Sequence, residues 1–466
     1  MRRCLSLLAV VLLAAPLAAQ EPSPVSQANS SNPAPFPPRA GVTNYPKPGE
    51  RGSSNMKVLS HIPLGGFLHV SDIELEQELS RPYVYIDRRF QPSGFDIINI
   101  KDPSKAYVMY SWRIEQPELH LGSGALGPMY VKTKGRYYLF QTFQFGNGGP
   151  DYDLAAIVFD MTGLPDTSKV REVVRLKRPD LAGGFHENFA YKHSSGASLM
   201  FTDVSNHPWQ NIYDIDKMLA GAPDFGLVGH VPNPSTIDSA QGRGYHDSYV
   251  AYDPATKRDL FYGAGGGGYY VFDVTDIANP KLLTSVVGVA GKTNGHTFTP
   301  DPTGRYAIIE SEYMYAPLSI VDLKPKGDTL TKTVTRSIGA WTADWHDLAH
   351  NHEVRWPYVF VGAYEDGLQV FNMMDPTNPY TVGYYRTYDG PHESRQVNNA
   401  NNGAWQAEIR NADGLIVVAD MSTGFWALKM EGFDGWNGHQ WGVPNTSSAQ
   451  DWDNGPDGAP KPQKVS

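Results

Sequence analysis

IINIKDPSKAY (Ile97–Tyr107), VFDVTDIANPK (Val271–Lys281) and VFNMMDPTNPY (Val370–Tyr380) are three versions of one pattern, an apolar strand that ends in an Asp-containing turn. The same strand recurs in looser form around Asp160, Asp214, Asp322 and Lys429, giving seven copies with Asn99, Asp273 and Asn372. Neighbouring copies are 49 to 61 residues apart. Ahead of each lies a second short strand: YVYI from Tyr83, YYLF from Tyr137, LMFTD from Leu199, LFYG from Leu260, AIIES from Ala307, YVFVG from Tyr358 and LIVVAD from Leu415. A sustained repeat of this length, with room for about four strands, is the signature of a β-propeller blade. The chain therefore reads as all-β, a seven-bladed propeller over residues 56–433. The last copy stops after its third strand, and MKVLSHIP at Met56 has the composition to supply the fourth and close the ring.

Composition agrees with this reading. The 466 residues include 46 Gly and 36 Pro, a density that breaks long helices, while 41% hydrophobic and 12% aromatic residues suffice for a packed core. The 39 basic and 49 acidic side chains give a net charge of -10 without a Lys/Arg block, so no nucleic-acid partner is expected. Residues 1–19 read as a secretory signal: Arg2 and Arg3, an apolar run from Leu5 to Leu13, then small residues around Ala18 and Ala19. Export to the periplasm, cell surface or medium is the expectation. Cys4, the only cysteine, falls inside that signal, so disulfides, thiolate metal sites and cysteine nucleophiles are excluded together. Residues 20–55 form a Pro/Ser/Asn-rich linker and 434–466 a low-complexity tail that Trp436 and Trp441 could pin to the body. Nothing beyond the signal approaches the length of a membrane span.

The segments GGYYVFDVTDIANPKLL (Gly267–Leu283) and DGLQVFNMMDPTNPYTVG (Asp366–Gly383) resemble the LVIVD repeat of bacterial exported β-propellers, in which a strand runs through a D-x-x-x-P turn into the next strand. The likeness is good in blades 1, 4 and 6 and degraded in the others. It implies a propeller fold; it carries no catalytic motif to transfer.

Histidine supplies the chemical signal. Counting back from the third-strand column, His186 precedes Asp214 by 28 residues, His246 precedes Asp273 by 27, and His296 and His346 precede Asp322 and Asn372 by 26. These positions fall where the innermost strands begin, so four imidazoles from adjacent blades would converge near the axis. Only 14 histidines occur in the whole chain. Converging neutral imidazoles suit zinc, copper, iron or nickel; it is the similarity of this arrangement to iron- and copper-holding oxidoreductase propellers that puts iron or copper first and zinc next. Glu187, Asp247 and Asp347 follow these histidines directly and are candidates either to accept from ring N–H groups or to face the blade interior. In WHDLAHNHEVRW, His350, His352 and Glu353 compete with His346, because a short loop or bulge would shift the register. Glu312, His392 and Glu393 lie on loops that open on the same face. The glycine run Gly263–Gly268 leads into a strand and not into a helix, so it reads as turn or close-approach glycine and not as a phosphate cradle.

Hydrolase elbows, Walker sequences and zincin motifs are absent. The histidine column is similar in arrangement to the metal sites of carotenoid cleavage oxygenases and of methanethiol-oxidase-like propellers, both oxidoreductases. The first expectation is thus an exported metalloprotein, a metal-dependent oxidoreductase acting on a small molecule at the channel mouth. The alternative is a non-catalytic propeller that binds a protein or glycan, and a metal-dependent hydrolase ranks third.

Overall fold

The computed structural model describes residues 51–438 and 451–455, apart from 67, 91, 147, 179, 181–182, 204–206, 236–243, 293, 345–347, 389–401. The signal segment, most of the linker and most of the tail lie outside the described residues, as do His346, Asp347, His392 and Glu393.

Seven antiparallel sheets form the ring of a seven-bladed β-propeller. Blades 1 to 6 begin with the innermost strands Val70–Leu75, Gly124–Thr133, Asn188–Lys192, Tyr245–Asp253, Phe298–Pro300 and His352–Arg355, and each meanders outward to its last strand. Blade 7 is assembled from both ends of the described chain. Ala404–Ile409, Ile416–Asp420 and Gly424–Met430 are completed by Met56–Ile62, with Met56 opposite Met430 and Ile62 opposite Phe425. Closure this way leaves the ring without an open seam. Blade 4 alone gains a fifth strand, Thr333–Val334, parallel to Lys281–Val286. Among the described residues, no helix is long and apolar enough to cross a membrane.

The repeat seen in the sequence has a local physical cause. Asn99, Asp160, Asp273, Asp322 and Asn372 each accept, through Oδ1, the backbone N–H two residues on, and Asp214 accepts from Lys217 to cap the short helix Ile215–Leu219. A short side chain that turns its own backbone is what stops the third strand and sends the chain into the fourth. Blade faces then bury each other. The largest hydrophobic clusters straddle blade boundaries: Phe95 of blade 1 packs edge-on against Phe159 of blade 2, and Phe201 of blade 3 stacks on Phe261 of blade 4.

The ends of the propeller segment are anchored more firmly than their composition suggests. Arg51 and Ser53, from the end of the linker, bond to the backbone of Arg386 and Tyr384 in blade 6. Trp436 is buried and donates from Nε1 to Trp356 O at 2.9 Å. Trp452 packs into the cluster of blades 1 to 3, while Trp441 lies outside the described residues.

Candidate metal centre

The histidines reach one another because of where each innermost strand starts. His186, His296 and His350 each stand two residues before the first residue of their strand, in blades 3, 5 and 6. His246 is the second residue of Tyr245–Asp253, but the ladder slips between Tyr245 and Asp247, so it sits on a β-bulge that re-aims its side chain. The result is a continuous run of imidazoles. Ring centroids lie 4.5 Å apart for His186 and His246, 4.2 Å for His246 and His296, and 4.6 Å for His296 and His350.

In blade 6 the imidazole in this run is His350. It precedes Asn372 by 22 residues, where the column in the other blades predicts 26 or more. The physical reason is loop length: residues 356–357 join the first two strands of blade 6, against residues 301–305 in blade 5, and 363–367 join the next pair, against 310–317. His346 falls outside the described residues, and no statement about its side chain follows.

Three of the four rings are oriented by an outward acceptor. Nδ1 of His186 lies 3.1 Å from Gln144 Oε1, Nδ1 of His296 lies 2.8 Å from Glu310 Oε2, and Nδ1 of His350 lies 3.0 Å from the carbonyl of Trp405. Each acceptor calls for the proton on Nδ1 and leaves the Nε2 lone pair for another partner. A carboxylate or carbonyl behind the imidazole is the arrangement that fixes tautomer and ring orientation in metal sites. On the inner side, His186 Nε2 and His246 Nε2 are 3.0 Å apart, and His296 Nε2 stands 3.6 Å from Glu312 Oε2. For metal–nitrogen bonds of about 2.0–2.1 Å, tetrahedral ligands stand roughly 3.3 Å apart, between these two separations. His246, His296 and Glu312 present ligand atoms that all fall within 4.8 Å of one another and could hold a metal ion. His246 Nδ1 and His296 Nε2 are also buried without a hydrogen-bond partner.

Glu312 comes from the loop after the second strand of blade 5 and takes a hydrogen bond from the Tyr364 hydroxyl of blade 6. Tyr364 is held there by an exchange of backbone bonds with Ala404 of blade 7. Gly403 permits this approach: at φ 91°, a Cβ on it would stand 2.1 Å from the Tyr364 carbonyl oxygen.

Burial and charge divide the rings. Burial drives the His186 imidazole down to about 3, helped by the Arg89 charge, and drives His246 and His350 well below the usual histidine range. His296 is buried too, which pulls its pKa down, but the carboxylates of Glu310, Glu312 and Asp247 outweigh burial and raise it to about 9.

Glu187 and Asp247 do not accept from the histidines beside them. They face the channel one step further in, where a cavity of about 70 Å³ is also lined by Glu74, His352, Glu353 and Glu408. Alternation along each inner strand sends successive side chains to different surroundings. Burial raises the carboxyls of Glu74, Glu187 and Glu408 well above the carboxylate range and that of Asp247 to about 7. Glu353 is paired with the buried Arg355 at 2.7 Å, and His352 Nδ1 meets Thr297 Oγ1 at 3.2 Å. Sequence reading missed Gln144, Glu310, Tyr364 and Trp405. Glu310 closes the strand segment AIIES and its position before a face loop is a usable signal; the others act across blade boundaries and leave no trace in spacing.

No protein-family model matches this sequence, and no curated protein matches it. The likeness to LVIVD repeats rests on the strand-and-turn segments alone.

Proposed function

We propose that the protein is an exported propeller of the LVIVD type that holds one transition-metal ion at the mouth of its channel, and that it works there as an oxidoreductase on a small molecule. The donor set is built on His246, His296 and Glu312, whose ligand atoms stand together, and His186 and His350 are the further imidazoles at the two ends of the run. The observation that carries this reading is the outward fixing of three Nδ1 atoms by Gln144, Glu310 and Trp405, which turns three Nε2 atoms inward; on His296, raised to about 9, a bound ion would take the place of the Nε2 proton. Imidazoles retained only for packing would satisfy both ring nitrogens, whereas two here are buried without a partner. Imidazole donors with one carboxylate suit iron, copper or zinc. Such an ion would supply Lewis acidity, and, for iron or copper, one-electron chemistry. The chain's own contribution is to fix the donors, to bury them, and to keep Glu312 in place through the Tyr364 hydroxyl.

Elemental analysis of the untagged protein, purified without chelators beside His246→Ala, tests the reading. Near-stoichiometric iron or copper that is lost in the variant is the expected result. Zinc would move the assignment to hydrolysis, and absence of metal after incubation with each ion would leave a binding propeller. Export is checked on the same sample by intact mass: a chain beginning near Gln20 is expected, and a retained Met1 segment would refute it.

A further inference from the structure

A separate pocket opens between blades 1 and 2, beside the histidine run. Its volume is about 520 Å³, and its walls include Arg89, Phe90, Ser93, His120, Leu121 and Phe145. Arg89 leaves the second strand of blade 1 and turns its guanidinium over the Trp405 ring at 4.8 Å, and Trp405 in turn packs on His350 with centroids 4.0 Å apart. One aromatic ring thus lies between the cation and His350.

Arg89 lacks the ion pair that most of the arginines make. Arg81, Arg88, Arg113, Arg136, Arg355 and Arg410 are each ion-paired to a carboxylate. Among the described residues none is paired with Arg89, and its Nε is buried without a hydrogen-bond partner. Its backbone is fixed as well. Gly124, at φ 77°, lies so close that a Cβ there would stand 1.9 Å from the Arg89 carbonyl oxygen, a contact only glycine allows. The fold therefore holds a cation without an ion pair at the wall of a pocket that is otherwise largely apolar and aromatic. An unpaired, partly desolvated guanidinium with a rigid fork of donors fits an oxyanion.

We infer that this pocket binds a small carboxylate carried on an aromatic or apolar body, with Arg89 taking the carboxylate and Phe90, Leu121 and Phe145 taking the body. Charge balance selects the class. A single arginine lines the pocket, and the nearby carboxyl groups of Asp72 and Glu312 offset part of its charge, so a monoanion suits it better than a phosphate dianion. As the site that presents substrate to the histidines, this inference rests on the metal reading above; as an anion site it stands without it.

Benzoate is the probe, titrated calorimetrically into chelator-treated protein, with benzyl alcohol as its uncharged counterpart. Benzoate should bind, benzyl alcohol should bind at least about tenfold more weakly, and Arg89→Met should cost benzoate at least about tenfold while Arg89→Lys recovers part of it. Inorganic phosphate should bind more weakly than benzoate. Equal affinity for benzoate and benzyl alcohol, no benzoate binding at millimolar concentration, or unchanged affinity in Arg89→Met would each overturn the inference. The two-ligand comparison needs only the wild-type chain, so it decides even if Arg89→Met fails to fold. Metal content, read on the same preparations before chelator treatment, reports on the metal reading separately.

Discussion

Replacing His246 by alanine separates a metal ligand from a packing residue, and the structure supplies the magnitudes. In the metal-free protein the imidazole makes one polar contact, Nε2 to Nε2 of His186 at 3.0 Å, and keeps Nδ1 buried without a partner. Losing a neutral hydrogen bond costs about 1 kcal/mol, and removing an unsatisfied buried atom returns a similar amount. Lost ring contact with His186 and His296 then leaves a net destabilisation of about 1–2 kcal/mol, or a few degrees in Tm. Metal at 100 times its Kd stabilises the wild-type chain by about 2.7 kcal/mol, and this increment should vanish in the variant. The assay is thermal unfolding of both chains with chelator and with each ion. His350→Ala is the internal contrast: it strands the Trp405 carbonyl and strips the ring from Trp405 and Tyr364, so it should cost more than His246→Ala in the metal-free protein. The reasoning fails if His246→Ala loses more than about 4 kcal/mol in chelator while no ion shifts the wild type.

Three further outcomes follow from named contacts. Glu310 is fully buried and accepts from both His296 Nδ1 and Thr297 Oγ1 at 2.8 Å, so Glu310→Gln should weaken metal binding about 10- to 100-fold in competition with a chelating dye; unchanged affinity would show that His296 is not held from behind. Burial brings the Lys292 ammonium from 10.5 down to about 8 against the pull of Glu310, and Nζ donates to Pro317 O at 2.6 Å. Between those values the unfolded chain binds a proton that the native chain has released, so Lys292 should add at most about 3 kcal/mol to the stability of the chelated protein from pH 8 to 10.5, offset below pH 9 by the proton that His296 retains. Denaturant titration across that range should show the rise flattened in Lys292→Met. Removing the chain through Ile62 leaves Gly424–Met430 as an open sheet edge, and light scattering on a sizing column should find association where the full chain is monodisperse; a stable monomer would mean that blade 7 does not need its clasp.

What could be read from the sequence was local. The third-strand Asp and Asn residues mark blades because their side chains fold back on the backbone two residues later, so the signal and its cause lie in the same short segment. The clasp was legible for a related reason: a blade short of one strand at its C-terminal end must find it elsewhere. The histidine register held wherever loops keep their length, which covers blades 3 to 5. In blade 6, where the two hairpin loops are 356–357 and 363–367, the imidazole in the run is His350, and His346 lies outside the described residues. Gln144, Trp405 and Arg89 were invisible because their partners belong to neighbouring blades.

The four imidazoles come from consecutive blades, 3 to 6, and so form an arc about the axis and not a closed ring. Its ends are finished by the residues that hold the outer rings, Gln144 of blade 2 behind His186 and Trp405 of blade 7 behind His350. Blade 1, between those two, offers no imidazole to the run; it offers Arg89, stacked on Trp405 at the wall of the pocket. A catalytic metal needs one position left to exchange, whereas a structural ion is enclosed by protein donors. On the proposed reading, an arc open toward blade 1, with the unpaired cation and the larger cavity on that same side, would leave such an exchangeable position. A small anion entering there would be oriented by Arg89 before it met the histidines, and a variant that binds metal but not benzoate should therefore lose turnover through KM before kcat.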